Sequence, residues 1–136
     1  MPSVVVQVCV DPRLSHDLLR SQVRQRLTRL RLSADMIYLV GEPGGNLGTA
    51  FEHTLDLVQR RHDPVVLCAV LYHDDCIAAG LGLRAPLETT AGQLDALLSR
   101  RRIHCPVLSG SIRTANNHLT WTDEPPRRRS PFTLGH

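Results

Sequence analysis

His73 and Cys76 stand three positions apart, just beyond an apolar run from Pro64 to Leu71. An imidazole and a thiol at that spacing, at the carboxyl end of a strand, can reach one point. A second apolar run, Val4 to Val8, leads directly into Cys9. If the two runs are neighbouring strands, Cys9, His73 and Cys76 converge. Two thiolates and an imidazole are a ligand set for zinc. Three protein ligands with an open fourth position make a catalytic site, where zinc lowers the pKa of bound water to about 7. Four protein ligands make a closed, structural one.

Asp11 bears on that choice. On an extended segment, residues two apart point to the same side, so Asp11 follows Cys9. It can bind the metal itself or sit beside a metal-bound water. Arg13, two residues further, can pair with Asp11 and hold it off the metal. Acid pH is expected to favour the aspartate-bound state.

Cys9-x-Asp11-x-Arg13 followed by His73-x-x-Cys76 resembles the zinc signature of the β-class carbonic anhydrases. The order of parts is similar too. A Gly-rich segment and a helix follow the first motif, and a buried strand carries the second. Gly110-Ser111-Ile112-Arg113 with Asn116 to Leu119 is similar to the family's last strand and turn. The resemblance covers about residues 3–122. It implies an α/β fold, a mostly parallel sheet flanked by helices with an antiparallel edge strand. It also implies one zinc per chain on Cys9, His73 and Cys76, with Asp11 and Arg13 as the catalytic pair. Reversible hydration of carbon dioxide to bicarbonate through zinc-bound hydroxide is the implied reaction, in a homodimer or higher oligomer. Some positions depart from the family. Ile77 replaces a glycine and Pro12 a small residue. Gly41 to Asn46 does not match the family's Arg-Asn-Ala-Gly type segment, and the family's N-terminal helical arm is expected to be missing. Relatives with this fold act on COS or CS2, and Ile77, Leu81 and Leu83 can line an apolar path or be plain core. A binding or scaffold protein with structural zinc is the other class of reading.

The remaining sequence supplies the scaffold. A chain of 136 residues suits one domain with one core. The net charge is +3 and every basic residue is arginine. Aromatic residues are too few for base-stacking patches, so nucleic acid is not the expected partner. No apolar run reaches the ~20 residues that span a bilayer, and no signal peptide is visible. A cytoplasmic protein with reduced thiols is expected. Cys68 and Cys105 read as structural.

The continuous apolar run at 4–10 reads as a strand buried on both faces, 36–40 as a second short strand, and 64–71 as the third and most buried. Helical stripes separate them. One is Leu19, Val23, Leu27 and Leu30 within 16–32, with arginines on a solvated face. The next is Leu47, Phe51, Leu55 and Val58. Helix-length connections between strands point to β-α-β units. A further helix is expected over 87–102, with a capping box at Thr90 to Gln93 and an apolar face of Leu94, Leu97 and Leu98. Strands around 107–113 and 118–121 flank an Asn116-Asn117 turn. Tyr72 reads as core, His53 as a surface residue, and Asp74 and Asp75 as exposed turn residues. The domain is drawn at 1–122, and 123–136 as a Pro- and Arg-rich tail containing Arg127-Arg128-Arg129.

Overall fold

The computed structural model describes residues 1–123. Along them lie β1 (Ser3–Cys9), α1 (His16–Arg29), β2 (Met36–Glu42), α2 (Thr49–Arg60), β3 (Val65–His73), α3 (Ile77–Gly80), α4 (Leu87–Arg100), β4 (Val107–Arg113) and β5 (His118–Trp121). A single 3-10 turn, Pro43–Gly45, separates β2 from α2. The strands form one five-stranded sheet in the order β2-β1-β3-β4-β5. β1 runs parallel to β2 and β3, and β3 runs parallel to β4. β5 pairs antiparallel with β4 and forms an edge. The mostly parallel α/β architecture with an antiparallel edge strand is the one expected.

Every residue of β1 is buried. Its side chains alternate between the two faces of the sheet. Val4, Val6 and Val8 meet Leu19, Val23 and Leu27 of α1. Val5 joins Phe51 and Leu55 of α2 and Leu94, Leu97 and Leu98 of α4 on the other side. A parallel strand covered by helices on both faces has no wet side, which is why its sequence is apolar without alternation. Among the described residues, no helix is long and apolar enough to cross a membrane.

Local boundaries differ from the sequence reading for identifiable reasons. α1 stops at Arg29 rather than Leu32, because Arg31 takes a left-handed φ of 57°. Leu32 N–H then reaches Leu27 O at 2.9 Å, closing a Schellman turn. His62 and Arg102, at φ 58°, end α2 and α4 in the same way. Glycine usually marks this position, and its absence hides all three stops. The capping box at Thr90 is not formed. α4 starts at Leu87, as expected, but with Pro86 at the cap. Thr90 is instead buried inside the helix, its Oγ1 2.6 Å from the Tyr72 hydroxyl. Arg26 does not belong to a solvated face: it pairs with Asp123 and lies over the Trp121 ring. Nearly all of the expected tail, with Arg127 to Arg129, lies outside the described residues.

Candidate metal centre

The connection from β1 carries the chain outward to β2, and the connection from β3 carries it the opposite way, to β4. Strand order therefore reverses between β1 and β3. In an open α/β sheet, a crevice forms beyond the carboxyl ends of strands at such a point. Cys9 is the last residue of β1 and His73 the last of β3. Cys76 follows at the cap of α3. One ligand atom from each of Cys9, His73 and Cys76 lies within 4.8 Å of the other two. The three residues are buried.

Features of the individual donors suit a metal ion. His73 Nδ1 is 2.6 Å from the carbonyl oxygen of Asp74. A carbonyl only accepts, so Nδ1 carries the proton and Nε2 presents a lone pair. Nε2 is buried and has no hydrogen-bond partner. An orphaned nitrogen is costly in an interior, and a cation between it and the two sulfurs removes the cost. Gly44 N–H donates to Cys9 Sγ at 3.3 Å, which favours a thiolate. Gly44 has φ 73° and little room for a side chain, with Ala78 Cβ 3.3 Å from the position a Cβ would take. The Gly-rich stretch thus delivers a backbone donor to a sulfur.

Asp11 is held by Arg13 through both oxygens. Oδ1 accepts from the Arg13 backbone N–H at 2.8 Å and from Nε at 3.0 Å, and Oδ2 accepts from Nη2 at 2.7 Å. These bonds, the side-chain one foremost, lower the Asp11 carboxyl to about 2, so it stays ionised. Oδ2 stands 3.8 Å from His73 Nε2, too far for a hydrogen bond. Arg13 has a second acid as well. Its Nη1 donates to Asp75 Oδ2 at 3.0 Å, and its Nη2 donates to the Asp75 carbonyl at 2.8 Å. Asp75 adopts φ 53°, a left-handed conformation. From the sequence, Asp75 is expected as a turn residue or a helix cap. Its position between His73 and Cys76 was the available clue to a role beside the cluster.

Asn117 was missed in the same way. Read as a turn residue, it is buried at φ 58°. Its Oδ1 accepts from Ser15 N–H at 2.7 Å, and its Nδ2 donates to Arg13 O at 3.1 Å. One side chain of the distant hairpin thereby holds both flanks of the segment after Arg13. Ser15 in turn caps α1 through Leu18 N–H. Asp74 is also engaged, its Oδ1 accepting from the Thr114 N–H and hydroxyl. Both contacts lower its carboxyl, the backbone one most. Tyr72 is buried as expected, and its hydroxyl reaches Ala85 O at 2.8 Å. His53 is exposed on α2. Cys68 is buried against Cys105 on the α4 side of the sheet. Contact with Cys105 and burial push the Cys68 thiol up, which suits an inert thiol.

Ile77, Leu81 and Leu83 are not core. They are 75%, 69% and 60% exposed, and Val10, next to Cys9, is 56% exposed. These apolar side chains flank the ligands in sequence and are left uncovered.

Several solved structures share this architecture. A carbonic anhydrase from Streptococcus mutans superposes with a TM-score of 0.54 at 15% identity, covering 88% of this chain and 81% of its own. An apo carbon disulfide hydrolase gives 0.56 at 11% identity, covering 90% and 79%. A variant of the β-carbonic anhydrase CafD of Aspergillus fumigatus gives 0.56 at 13% identity, covering 91% and 90%. The chain has the β-carbonic anhydrase fold. Neither a protein-family model nor a curated protein sequence matches it.

Proposed function

We propose that this chain is a zinc-dependent hydratase that converts carbon dioxide to bicarbonate, with zinc on Cys9, His73 and Cys76. A bound zinc ion supplies Lewis acidity that brings the pKa of a coordinated water near 7. The observation that carries the reading is the use of the Asp11 lone pairs. Each carboxylate oxygen has two. Oδ1 spends both on Arg13, whereas Oδ2 spends one. The unused acceptor position is on the oxygen nearer to His73. Because Asp11 is ionised, it accepts and cannot donate. An O–H donor beside the cluster therefore gives its hydrogen to Oδ2 and keeps a lone pair for the electrophilic carbon. Arg13 keeps Asp11 in this role and out of a ligand's place, and Asp75 holds the other side of the guanidinium.

Exposed Val10, Ile77, Leu81 and Leu83 favour two further elements of the reading. A second copy of the chain covers them, so that the working unit is a homodimer or larger homo-oligomer. They also suit an apolar substrate, and COS or CS2 is the second substrate reading. The proposed setting is reducing and cytoplasmic, where the thiols stay available. The test is metal analysis of the purified protein with turnover of CO2, COS and CS2 at alkaline pH. The expected result is one zinc per chain and CO2 hydration that Arg13→Ala lowers by about 100-fold or more. Stoichiometric zinc without turnover of any of the three would leave the structural-zinc scaffold reading in its place.

A further inference from the structure

A cavity of about 670 Å³ opens between the β4–β5 hairpin and the segment joining α3 to α4. Cys9, Asp11, Arg13 and Cys76 do not line it; His73 alone is common to it and the metal cluster. Its origin is visible in the hairpin. Ile112, Leu119 and Trp121 turn inward, so Ser111, Arg113, His118 and Thr120 face the other way and are exposed. Across the ladder Arg113 pairs with His118 and Ser111 with Thr120. The apolar cluster under α4 includes Val107 but no later residue of β4 or β5. The end of the hairpin is therefore left bare on that side.

The walls carry two arginines, Arg84 and Arg113, against one carboxylate, Asp74. Arg84 lies over the Tyr72 ring at 4.5 Å and donates one bond, from Nη1 to His73 O at 3.0 Å. Among the described residues, its other N–H groups meet no acceptor, and the Arg113 and His118 side chains have no partner. The one carboxylate in the lining, Asp74, has its Oδ1 committed to Thr114. Two guanidinium groups and an imidazole thus line one cavity, and such donors suit an oxyanion. Ala79, Pro86 and Leu87 supply apolar groups to other walls. The volume lies within the roughly 300–1,000 Å³ of small-molecule sites, and a bicarbonate ion is far too small to fill it.

We propose that this cavity binds an organic oxyanion, with a carboxylate or phosphate head on Arg84, Arg113 and His118 and an apolar body against Pro86 and Leu87. The site is separate from the hydration reading and does not depend on it. Calorimetric titration of the full chain with phenyl phosphate, and separately with benzoate, tests it. At least one probe is expected to bind saturably, one molecule per chain, and the stronger arm identifies the head group. Losing a charge-assisted hydrogen bond weakens binding by about tenfold or more. Arg113→Ser is expected to show that loss with an unchanged melting temperature, since its side chain holds nothing else in place. Arg84→Gln is expected to weaken binding comparably, and Arg60→Gln, outside the cavity, not at all. Absence of saturable heat with both probes would overturn the proposal. So would binding that survives Arg113→Ser, which would put the probe elsewhere, the metal cluster included. An equal loss in Arg60→Gln would also overturn it, as diffuse charge attraction.

Discussion

The segment after β1, with Asp11 and Arg13, and the segment after β3, with Cys76, flank the candidate metal cluster, but they differ in how much apolar surface they leave bare. Asn117 grips the first at Arg13 O and Ser15 N–H, and Arg13 folds back onto Asp11. The second leaves Cys76 into α3, a helix of four residues with no buried member, and its leucines face solvent. The first is fixed by directional polar bonds that a single chain supplies. The second has an apolar surface that a single chain leaves bare. The difference separates two requirements of the site. Orienting Asp11 is a task for hydrogen bonds with set angles, whereas excluding water around the ligands takes area, and area can come from a second copy.

The contrast can be broken at its centre. His73→Ala removes one of the three proposed ligands and leaves only two thiols. Metal affinity is expected to fall more than about 100-fold, measured by competition with a chelator. Unchanged affinity would mean that the two segments do not meet at a metal. Leu81→Glu attacks the bare apolar surface of the second segment. Burying one leucine is worth roughly 1.5–3 kcal/mol, so sedimentation should show self-association weakened about tenfold or more. A monomer that is already the only species in the wild type would show that the apolar ledge has some other cover. Asn117→Gly attacks the anchored segment while keeping the positive φ that the turn needs. Two hydrogen bonds are lost, and denaturant unfolding should report roughly 1–3 kcal/mol. Stability equal to wild type would show that Arg13 O and Ser15 N–H find other partners at no cost.

The smallest effect lies away from both segments and calibrates them. Asp56 on α2 pairs with Arg101 just beyond α4, and the hydrogen bond from Arg101 lowers its carboxyl. A carboxylate with a depressed folded pKa adds stability above its unfolded value, and the gain is lost as pH falls through the folded value. Asp56→Asn is therefore expected to melt slightly below wild type at neutral pH. The gap should close in acid, below the ordinary carboxylate value of 3.8. A gap that persists unchanged in strong acid would rule out the ion pair as its source.

The core strands were legible because parallel strands covered on both faces are apolar without interruption, as in Val4-Val5-Val6 and Leu67 to Leu71. The helices showed through the spacing of Leu19, Val23 and Leu27 and of Phe51, Leu55 and Val58. Their ends did not, because Arg31, His62 and Arg102 occupy left-handed positions without being glycine. Thr90 misled for a related reason: a threonine before a glutamine matches a cap, but a partner hydroxyl on β3 gave it a place inside the helix. Asp75 and Asn117 look like turn residues because they are turn residues. Their second use requires partners 62 and 104 positions away, and no local pattern records that.

From the sequence alone came two strands with histidine or cysteine at their ends, residue types able to bind a metal, and an aspartate and an arginine beside the first of them. Those facts depend on residue type and short spacing, which are local. Tertiary structure decided which atoms face the cluster. It ran β1 beside β3, turned the lone pair of His73 inward through the Asp74 carbonyl, and tied Asp11 to Arg13 with one acceptor position left over. It also bared the hairpin face where Arg113 meets His118. These are outcomes of packing, because hydrogen-bond direction and solvent cover depend on neighbours that only the folded chain brings together.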